Sequence, residues 1–342
     1  MTIKDLARET GYSTGTVSRV LNGHPNVSEH TRDEILRCIE RSGFEVNANA
    51  KHLRQQHGKG ILAVVTGSSN ELFARMLEFL QRYLAGTDYA LTVDYLEETG
   101  NAVAHAQRRV RELKPQGLIF LGGDQCYFTE RYASIGLPGV LLTVDASALG
   151  IEQLSSVTTD DRSAAEQAVT YLIEQGHRRI ALICGDLCLS TPSRLRYDGC
   201  CSALERAGLT LCQPPQTARY SLADGYAAML RLLDREPVPT AVFAVSDVMA
   251  LGALRALHDR GLRVPQDVSV VGYDGLELSE FSVPRLTTVH QNADELARTG
   301  VRLLLDTIEK HSPTRHLTVP FDLKCKDSVC PVGDSQKELQ LL

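Results

Sequence analysis

Three aspartates stand where apolar runs of the sequence end or where the next helix begins. Asp145 follows the run at residues 140–144, Asp274 follows the run at 268–273, and Asp160 lies at a predicted helix start. Carboxylates at the ends of strands can accept paired hydrogen bonds from neighbouring hydroxyl groups, the surface that a sugar presents. Asp145 or Asp274 could instead cap a helix or fix a turn.

A second group of polar residues has the chemistry for contact with nucleic acid. A predicted helix near the amino terminus has short polar residues on its outward face: Thr14, Gly15, Ser18, Arg19 and Asn22. Short side chains let a helix approach base edges in the major groove, and Arg19 can donate to a guanine or a phosphate. A three-helix bundle with no DNA role has the same spacing and remains an alternative.

Three short amphipathic helices are predicted to position this face. Their apolar residues recur at spacings of three and four, which indicates buried stripes: Ile3, Leu6, Ala7, Val17, Val20, Leu21, Ile35, Leu36 and Ile39. Gly11 supplies the turn after the first helix, because that turn needs a residue that tolerates positive φ. Ser13 is predicted to cap the second helix, over residues 14–22, and Ser28 the third, which ends at Gly43.

From residue 59 onward, apolar runs alternate with helical patterns, which predicts parallel sheets. A first series of strands is predicted at residues 60–66, 89–94, 117–121 and 139–144. A second series is predicted to begin near Val157 and to continue at residues 179–184, 240–245 and 268–272. Two such sheets in tandem favour two lobes that close on a ligand between them.

Length and charge favour a small module joined to a larger body. The 342 residues carry a net charge of −6, yet the segment up to Lys59 has nine Lys or Arg against seven Asp or Glu. The rest of the chain is therefore acidic, which argues for a localised nucleic-acid contact rather than general coating. No apolar stretch is long enough to span a bilayer and no signal-peptide pattern is present, so we expect a cytoplasmic protein with no membrane partner.

The nine cysteines include no C-x-x-C pair. Several lie in apolar surroundings, so buried thiols are favoured over disulfides or a zinc site. The pairs Cys184 with Cys188 and Cys200 with Cys201 leave oxidant sensing as an alternative.

Several runs give the chain a family resemblance. With T-V-S-R-V-L-N-G at residues 16–23, it resembles the lactose-repressor family of bacterial transcription regulators. Further runs follow in the family's order: G-H-R-R-I-A at 176–181, S-D-V-M-A-L-G at 246–252, V-S-V-V-G-Y-D at 268–274 and L-T-T-V-H-Q at 286–291. The resemblance implies an all-α helix-turn-helix head and an α/β body made of two doubly wound parallel-sheet lobes of periplasmic-binding-protein type.

The resemblance also implies domain bounds. It places the DNA-binding head at residues 1–46, a hinge helix and linker at 47–58, the effector-binding and dimerisation body at 59–333 and a tail at 334–342. Lobe 1 would comprise about 59–158 and 289–317, and lobe 2 about 159–288 and 318–333. The chain would then cross between lobes near residues 158, 289 and 318.

Positions that match the family's DNA contacts lie in the head and hinge. Thr14, Gly15 and Arg19 would read bases. The implied phosphate and further head contacts are Ser13, Thr16, Ser18, Asn22, Ser28 and Thr31. In the hinge the implied contacts are Asn47, Ala50, Lys51 and Leu53, with Leu53 as a wedge in the minor groove. Val46 stands where family members usually have proline.

For the effector site the resemblance adds Arg196, whose fork of donors can bind ring oxygens, hydroxyls or a carboxylate. A lone arginine at a helix start is also poorly placed for a core role unless an anion or acceptor lies near it. Tyr220 would stack on an apolar ring face and Phe73 would form a wall, although both could be core residues. The full implied set is Leu72, Phe73, Asp145, Asp160, Arg196, Tyr220, Ser246, Asp274 and Gln291. Ser246 departs from the asparagine of many sugar-binding relatives.

A nucleotide-using α/β enzyme is the main alternative class. Its phosphate cradles and H-E-x-x-H are absent from the sequence, and the G-x-S-x-G match at residues 11–15 lies between two predicted helices instead of after a strand. We therefore expect no catalytic residues, no cofactor and no metal. A ligand-binding protein with a nonfunctional head is a second alternative. The favoured interpretation is a homodimeric regulator, most often a repressor in this family, that binds palindromic operator DNA. Its small-molecule effector would be a sugar or sugar derivative first, and a nucleoside or purine second.

Overall fold

The computed structural model describes residues 3–21, 28–42, 59–67 and 70–333. The chain divides into two compact units, residues 1–58 and 59–342. The described part of the first unit, the head, contains α1 (Ile3–Thr10), α2 (Thr14–Leu21) and α3 (Glu29–Ser42). Gly11 has a φ of 73° in the turn after α1, a conformation that costs glycine little.

The core of the head comes from one face of each helix. Its buried side chains are Ala7, Val17, Val20, Ile35 and Cys38. Leu36 was predicted to lie in this core, and that prediction is wrong, because its side chain is 43% exposed. Ile35 and Cys38 are three residues apart and share a face of α3, whereas Leu36 is rotated by about 100° from Ile35. The side chains of Ile3, Leu6, Leu21 and Ile39 lie outside those that the structure describes.

The first lobe of the body is built on a six-stranded parallel sheet. Its strands, in sheet order, are β11 (His316–Val319), β5 (Leu154–Thr159), β4 (Gly139–Leu142), β3 (Gly117–Leu121), β1 (Lys59–Thr66) and β2 (Tyr89–Leu96). Its helices are α4 (Glu71–Leu84), α5 (Ala102–Leu113), α6 (Gln125–Arg131) and α12 (Ala293–Lys310). Short 3₁₀ turns occupy Tyr132–Ile135 and Ser147–Leu149.

Both faces of this sheet are covered. Along β1, Ile61 and Val65 point into a core that includes α4 and α12, whereas Leu62 and Val64 point into a core that includes α5 and α6. A strand buried on both faces needs a continuous apolar run instead of alternation, which is what residues 61–65 provide.

The second lobe has a sheet of the same size, parallel except where β10 pairs antiparallel with β12. Its strands, in sheet order, are β12 (Phe321–Lys324), β10 (Thr287–Gln291), β9 (Ser269–Asp274), β8 (Ala241–Ala244), β6 (Ile180–Cys184) and β7 (Gln216–Thr217). Its helices are α7 (Asp161–Glu174), α8 (Thr191–Arg206), α9 (Leu222–Leu233), α10 (Asp247–Asp259) and α11 (Leu278–Phe281).

The apolar pattern placed one strand in the wrong series, whereas the bounds implied by the resemblance put residues up to about 158 in lobe 1. The strand near Val157 was predicted to begin the second series, but β5 pairs with β4 and with β11 and therefore belongs to the first sheet. Pairing with strands that are distant in the sequence decides to which sheet a strand belongs. The apolar pattern of β5 itself therefore does not distinguish the two sheets.

Three chain segments connect the lobes. The chain leaves the first sheet after Thr159, returns between β10 and α12, and crosses again between Val319 and Phe321. These crossings bring the carboxyl ends of strands from both sheets to one cleft. Among the helices that the structure describes, none has the length and apolarity that a membrane-spanning segment requires.

Candidate functional site

A cavity of about 490 Å³ lies between the two lobes. Thr66, Gly122 and Thr143 line it where strands of the first sheet end, and Asp186 and Asp274 line it from the second sheet. Ligand sites of doubly wound proteins form at the carboxyl ends of strands, and this volume suits a small organic molecule.

Five of the nine predicted effector residues line this cavity: Leu72, Phe73, Arg196, Tyr220 and Asp274. Phe73 lies against Gly122, where an added Cβ would come within 3.1 Å of the ring. The ring is positioned by the start of α4, because the N-cap residue Asn70 accepts a hydrogen bond from the Phe73 backbone amide at 3.3 Å.

Arg196 is almost completely buried, with 4% of its surface exposed. It lies in the second turn of α8, and its Nε donates to Oδ1 of Asp161 at 2.8 Å while its Nη1 donates to the Val245 carbonyl at 2.7 Å. Its guanidinium also stacks 3.7 Å from the ring centroid of Tyr273. Burial opposes its charge, but the nearby carboxylate of Asp161 raises the pKa of Arg196 above its usual value. Asp161 is therefore the nearby anion that a buried arginine close to a helix start requires.

Asp161, which was not predicted from the sequence, holds this arginine. Its carboxylate is 3% exposed at the start of α7 and also accepts a hydrogen bond from the Tyr273 hydroxyl at 2.8 Å. The neighbouring Asp160 is exposed and caps α7, accepting from the Ser163 backbone amide at 3.0 Å. Asp160 is thus not among the residues that line the cavity.

Asp274 combines burial with an unusual backbone conformation. Its side chain is 7% exposed, and its φ of 121° lies in a region that L-residues rarely adopt. Gln291 donates to its Oδ1 at 2.9 Å, and Nη1 of Arg196 lies 3.9 Å from the same oxygen. Burial raises the pKa of Asp274 to about 6, although Arg196 and the Ser246 hydroxyl oppose the shift. Ser246 and Gln291 contact Asp274 but are not themselves residues that line the cavity.

Tyr220 is held in the cavity wall by two serines. Its hydroxyl lies 2.6 Å from Oγ of Ser193 and 3.3 Å from Oγ of Ser190. The backbone amide of Gly185 donates to Ser193 at 3.0 Å. A Cβ on Gly185 would come within 2.6 Å of Ser193 Oγ and 2.9 Å of the tyrosine ring, so this close approach requires glycine.

Asp145 is outside the cavity lining. Its carboxylate accepts from the Ser147 backbone amide at 3.0 Å and from Oγ of Ser156 at 3.0 Å, and it therefore fixes a turn. The turn alternative therefore describes Asp145, whereas the capping role of Asp160 was not predicted; both carboxylates are used by backbone amides two or three residues ahead.

Several cavity residues were not predicted from the sequence. Among these unpredicted residues are Thr66, Glu98, Asp124, Asp186, Thr191, Arg219 and Asp224. No sequence pattern singles out Thr191. Its Oγ1 donates to Oε1 of Gln125 at 3.2 Å, and this hydrogen bond links the two lobes. The available signal was the end of a predicted strand, because Thr66 is the last residue of one such strand and Asp186 follows another.

The predicted DNA face falls partly within the described residues. Thr14 and Gly15 are exposed at the start of α2. Oγ of Ser13 accepts from the Thr16 backbone amide at 3.1 Å, and Oγ of Ser28 accepts from the Thr31 amide at 3.3 Å. Ser13 and Ser28 therefore cap α2 and α3, as predicted. Ser18 and Arg19 lie on α2, but their side chains are outside those described, and the predicted contacts Asn22, Asn47, Ala50, Lys51 and Leu53 lie outside the described residues altogether.

The cysteines and acidic clusters do not form a metal or disulfide centre in the described part of the chain. All nine cysteines are free; Cys38, Cys184 and Cys200 are buried, whereas Cys126, Cys188 and Cys325 are exposed. Burial raises the pKa of Cys184 to about 11, which makes its thiol a poor nucleophile. Within residues 3–21, 28–42, 59–67 and 70–333, no group of three or more His, Cys, Asp or Glu could hold a metal ion.

Comparison with known proteins gives two family matches. Residues 2–47 match the family described as bacterial regulatory proteins, lacI family, and residues 169–329 match the periplasmic binding protein-like domain. The HTH-type transcriptional regulator MalR of Clostridium butyricum is 34% identical over 340 residues, which cover 96% of this chain and 99% of the relative. The HTH-type transcriptional repressor PurR of Haemophilus influenzae (strain PittEE) is 34% identical over 315 residues, covering 90% and 91%.

A solved structure extends the likeness to three dimensions. The lac repressor dimer bound to operator and the anti-inducer ONPF superposes with a TM-score of 0.82 at 27% identity, covering 96% of this chain and 99% of that one. The likeness therefore includes both the head and the two-lobed body.

Proposed function

Because the chain belongs to the lacI family of bacterial regulatory proteins, we propose that it represses transcription from a palindromic operator whose affinity is set by a small molecule in the interlobe cavity. The observation that most directly supports this proposal is the cavity of about 490 Å³, which residues of both lobes line. Arg196, Tyr220 and Asp274 contribute polar and aromatic groups to its wall. A ligand that prefers one arrangement of the lobes changes DNA affinity by its differential binding to the two arrangements.

A sugar or sugar derivative is the favoured effector, with a nucleoside or purine second. Asp274 can accept hydrogen bonds from ligand hydroxyls, and Tyr220 offers a ring face on which the apolar side of a sugar can stack. A nucleoside also contains a sugar ring, but that ring has fewer free hydroxyl groups than a free sugar. The relatives are transcriptional regulators, and we propose no catalytic role for this chain; turnover of a bound ligand would contradict that statement.

Two measurements test the function together. Selection of DNA from a random pool by the full-length protein should enrich a palindrome, and a thermal-shift screen of sugars and nucleosides should identify cavity ligands, because a ligand stabilises the state to which it binds. A ligand found in this way should change affinity for the selected palindrome. Absence of any enriched sequence would favour the alternative of a ligand-binding protein with a nonfunctional head.

Within the head we propose that Thr14, Gly15 and Arg19 read bases. Ser13, Ser18, Asn22, Ser28 and Thr31 would contact phosphates, and Thr16 would be a further DNA contact. Asn47, Ala50, Lys51 and Leu53 would form the hinge contacts. Support comes from the match of residues 2–47 and from the exposed start of α2. The proposed domain bounds are those expected from the sequence, with the head at 1–46 and the body at 59–333.

Replacing Arg19 by alanine is expected to weaken binding to the selected palindrome by about 10- to 100-fold, since an arginine that pairs with a guanine contributes discrimination of that size. Fluorescence anisotropy with the palindrome and with a scrambled duplex measures the effect. Arg37→Ala, at an exposed position on α3, is the matched control. Equal losses on both duplexes would show that Arg19 contacts only phosphate.

We propose homodimerisation through an apolar patch on the second lobe. Leu278, Phe281 and Val283 lie within six residues of one another and are 46%, 77% and 95% exposed. Apolar side chains of this size gathered at one surface are typical of a protein interface.

Phe281→Asp is expected to raise the dimer dissociation constant by about 100-fold, because it places a charge where an aromatic anchor would be buried. Sedimentation velocity of the full chain gives the constant. Leu36→Asp, which changes an exposed leucine in the head, is the control and should leave the dimer intact. An unchanged dimer in the Phe281 variant would place the interface elsewhere.

A further inference from the structure

The walls of the interlobe cavity carry an excess of negative charge. The described residues that line it include five carboxylates, Glu98, Asp124, Asp186, Asp224 and Asp274. They include two guanidinium groups, Arg196 and Arg219. A ligand that enters this space meets more acidic than basic groups, and a cavity with protein walls strengthens such fields relative to bulk water.

Both cations are already used by carboxylates of the protein. Arg196 donates through Nε to Asp161 and through Nη1 to a backbone carbonyl, and its Nη1 also lies 3.9 Å from the carboxylate of Asp274. Arg219 lies 3.2 Å from the carboxylate of Asp224, with most of its side chain in solvent. An anionic ligand at Arg196 would compete with the carboxylates of Asp161 and Asp274 for the guanidinium charge, and one at Arg219 would compete with Asp224.

The acidic groups themselves indicate that further negative charge is disfavoured here. Burial raises the pKa of Asp274 to about 6 despite the nearby Arg196. Desolvation raises the pKa of Glu98 as well, opposed by Arg219 and assisted by the charge of Asp224. A site that resists ionisation of its own carboxyl groups would resist an anionic ligand for the same reason.

One residue that lines the cavity has a buried hydroxyl group to which a neutral group of the ligand could form a hydrogen bond. Oγ1 of Thr66 has no hydrogen-bond partner, although the residue is only 8% exposed at the end of β1 where it lines the cavity. A buried hydroxyl without a partner is costly, and a ligand hydroxyl would satisfy it.

We propose that the cavity selects a small molecule without an anionic group, and that a protonated amine on the ligand strengthens its binding. This inference rests on the proposed effector function of the same cavity. The ligand class is a neutral or amine-bearing sugar, with a neutral or amine-bearing nucleoside as the second member. Sugar phosphates, sugar acids and nucleotides are excluded as tight ligands.

The test compares derivatives of one skeleton against full-length protein by calorimetric titration. Each hexose or nucleoside is supplied as its neutral parent, as an amine derivative, and as a phosphate or uronate. In every skeleton that binds, the amine should bind about tenfold tighter than the parent and the anion at least about tenfold weaker. An anion that binds as tightly as its neutral parent overturns the inference while leaving the effector function intact. No binding by any skeleton overturns the effector function itself.

A variant pair separates charge from shape. Glu98→Gln removes one lining charge and should lower the ratio of amine to parent affinity to less than about threefold, and added salt should lower the same ratio in the unmodified protein. Glu205→Gln, at an exposed carboxylate in the last turns of α8, should leave the ratio unchanged. Equal ratios in the Glu98 variant and the unmodified protein would contradict an electrostatic origin.

Discussion

Replacing Arg196 by alanine is expected to abolish the effector response and to lower the free energy of unfolding of the body by about 3–5 kcal/mol. The loss is large because Asp161 is only 3% exposed and would remain as a buried carboxylate without its cation. The stacking of the guanidinium on Tyr273 would disappear as well. Urea denaturation followed by circular dichroism gives the stability, and operator binding with and without ligand gives the response.

Two further variants keep this prediction testable if the single variant does not fold. Arg196→Ala combined with Asp161→Asn removes the uncompensated charge, so it should recover a large part of the stability while remaining unresponsive. Arg196→Lys keeps the charge but cannot reproduce the donors to both Asp161 and Val245, and it should lose response more than stability. A double variant that is as unstable as Arg196→Ala would show that packing, not the buried charge, accounts for the loss.

The main features of the body could be predicted from its sequence because they depend on local patterns. A buried parallel strand needs a continuous apolar run, and residues 60–66 and 117–121 have one. The turn glycine Gly11 and the cap Ser13 likewise depend on neighbours within a few residues. The lobe that contains the strand near Val157 depends on pairing with β4 and β11, and no local signal encodes that pairing.

The site was predictable only in part, for the same physical reason. Asp274 was identified by its position after an apolar run and Arg196 by the family resemblance, but the ion pair of Arg196 joins residues 35 positions apart. The choice between Asp160 and Asp161 shows the limit most clearly. Adjacent residues at a helix start differ by about 100° in direction, so one caps the helix in solvent while the other reaches the arginine inside. Asp145 has the same chemistry as Asp274 but is used by its own turn.

A second large effect is expected from pH, and it can be assigned to Asp274. Burial raises the pKa of this carboxyl from its usual 3.8 to about 6 in the folded protein. Between these values the folded state keeps a proton that the unfolded state has released, so stability should fall as pH rises through this window and level off above it. The contribution is on the order of 3 kcal/mol. Asp247 is also buried, and burial raises its pKa, so it adds a slope of the same sign.

Comparing unmodified protein with Asp274→Asn isolates the contribution of this one carboxyl. Asparagine tolerates positive φ better than most residues and can still accept from Gln291, so the fold should persist. The variant should show a shallower decline in the free energy of unfolding between about pH 4 and pH 6 and should gain stability relative to the unmodified protein as pH rises. Asp160→Asn, which changes an exposed cap to an equally good capping residue, should leave the curve unchanged. Parallel curves for Asp274→Asn and the unmodified protein would mean that the carboxyl titrates normally, and the cavity would then tolerate negative charge better than its burial indicates.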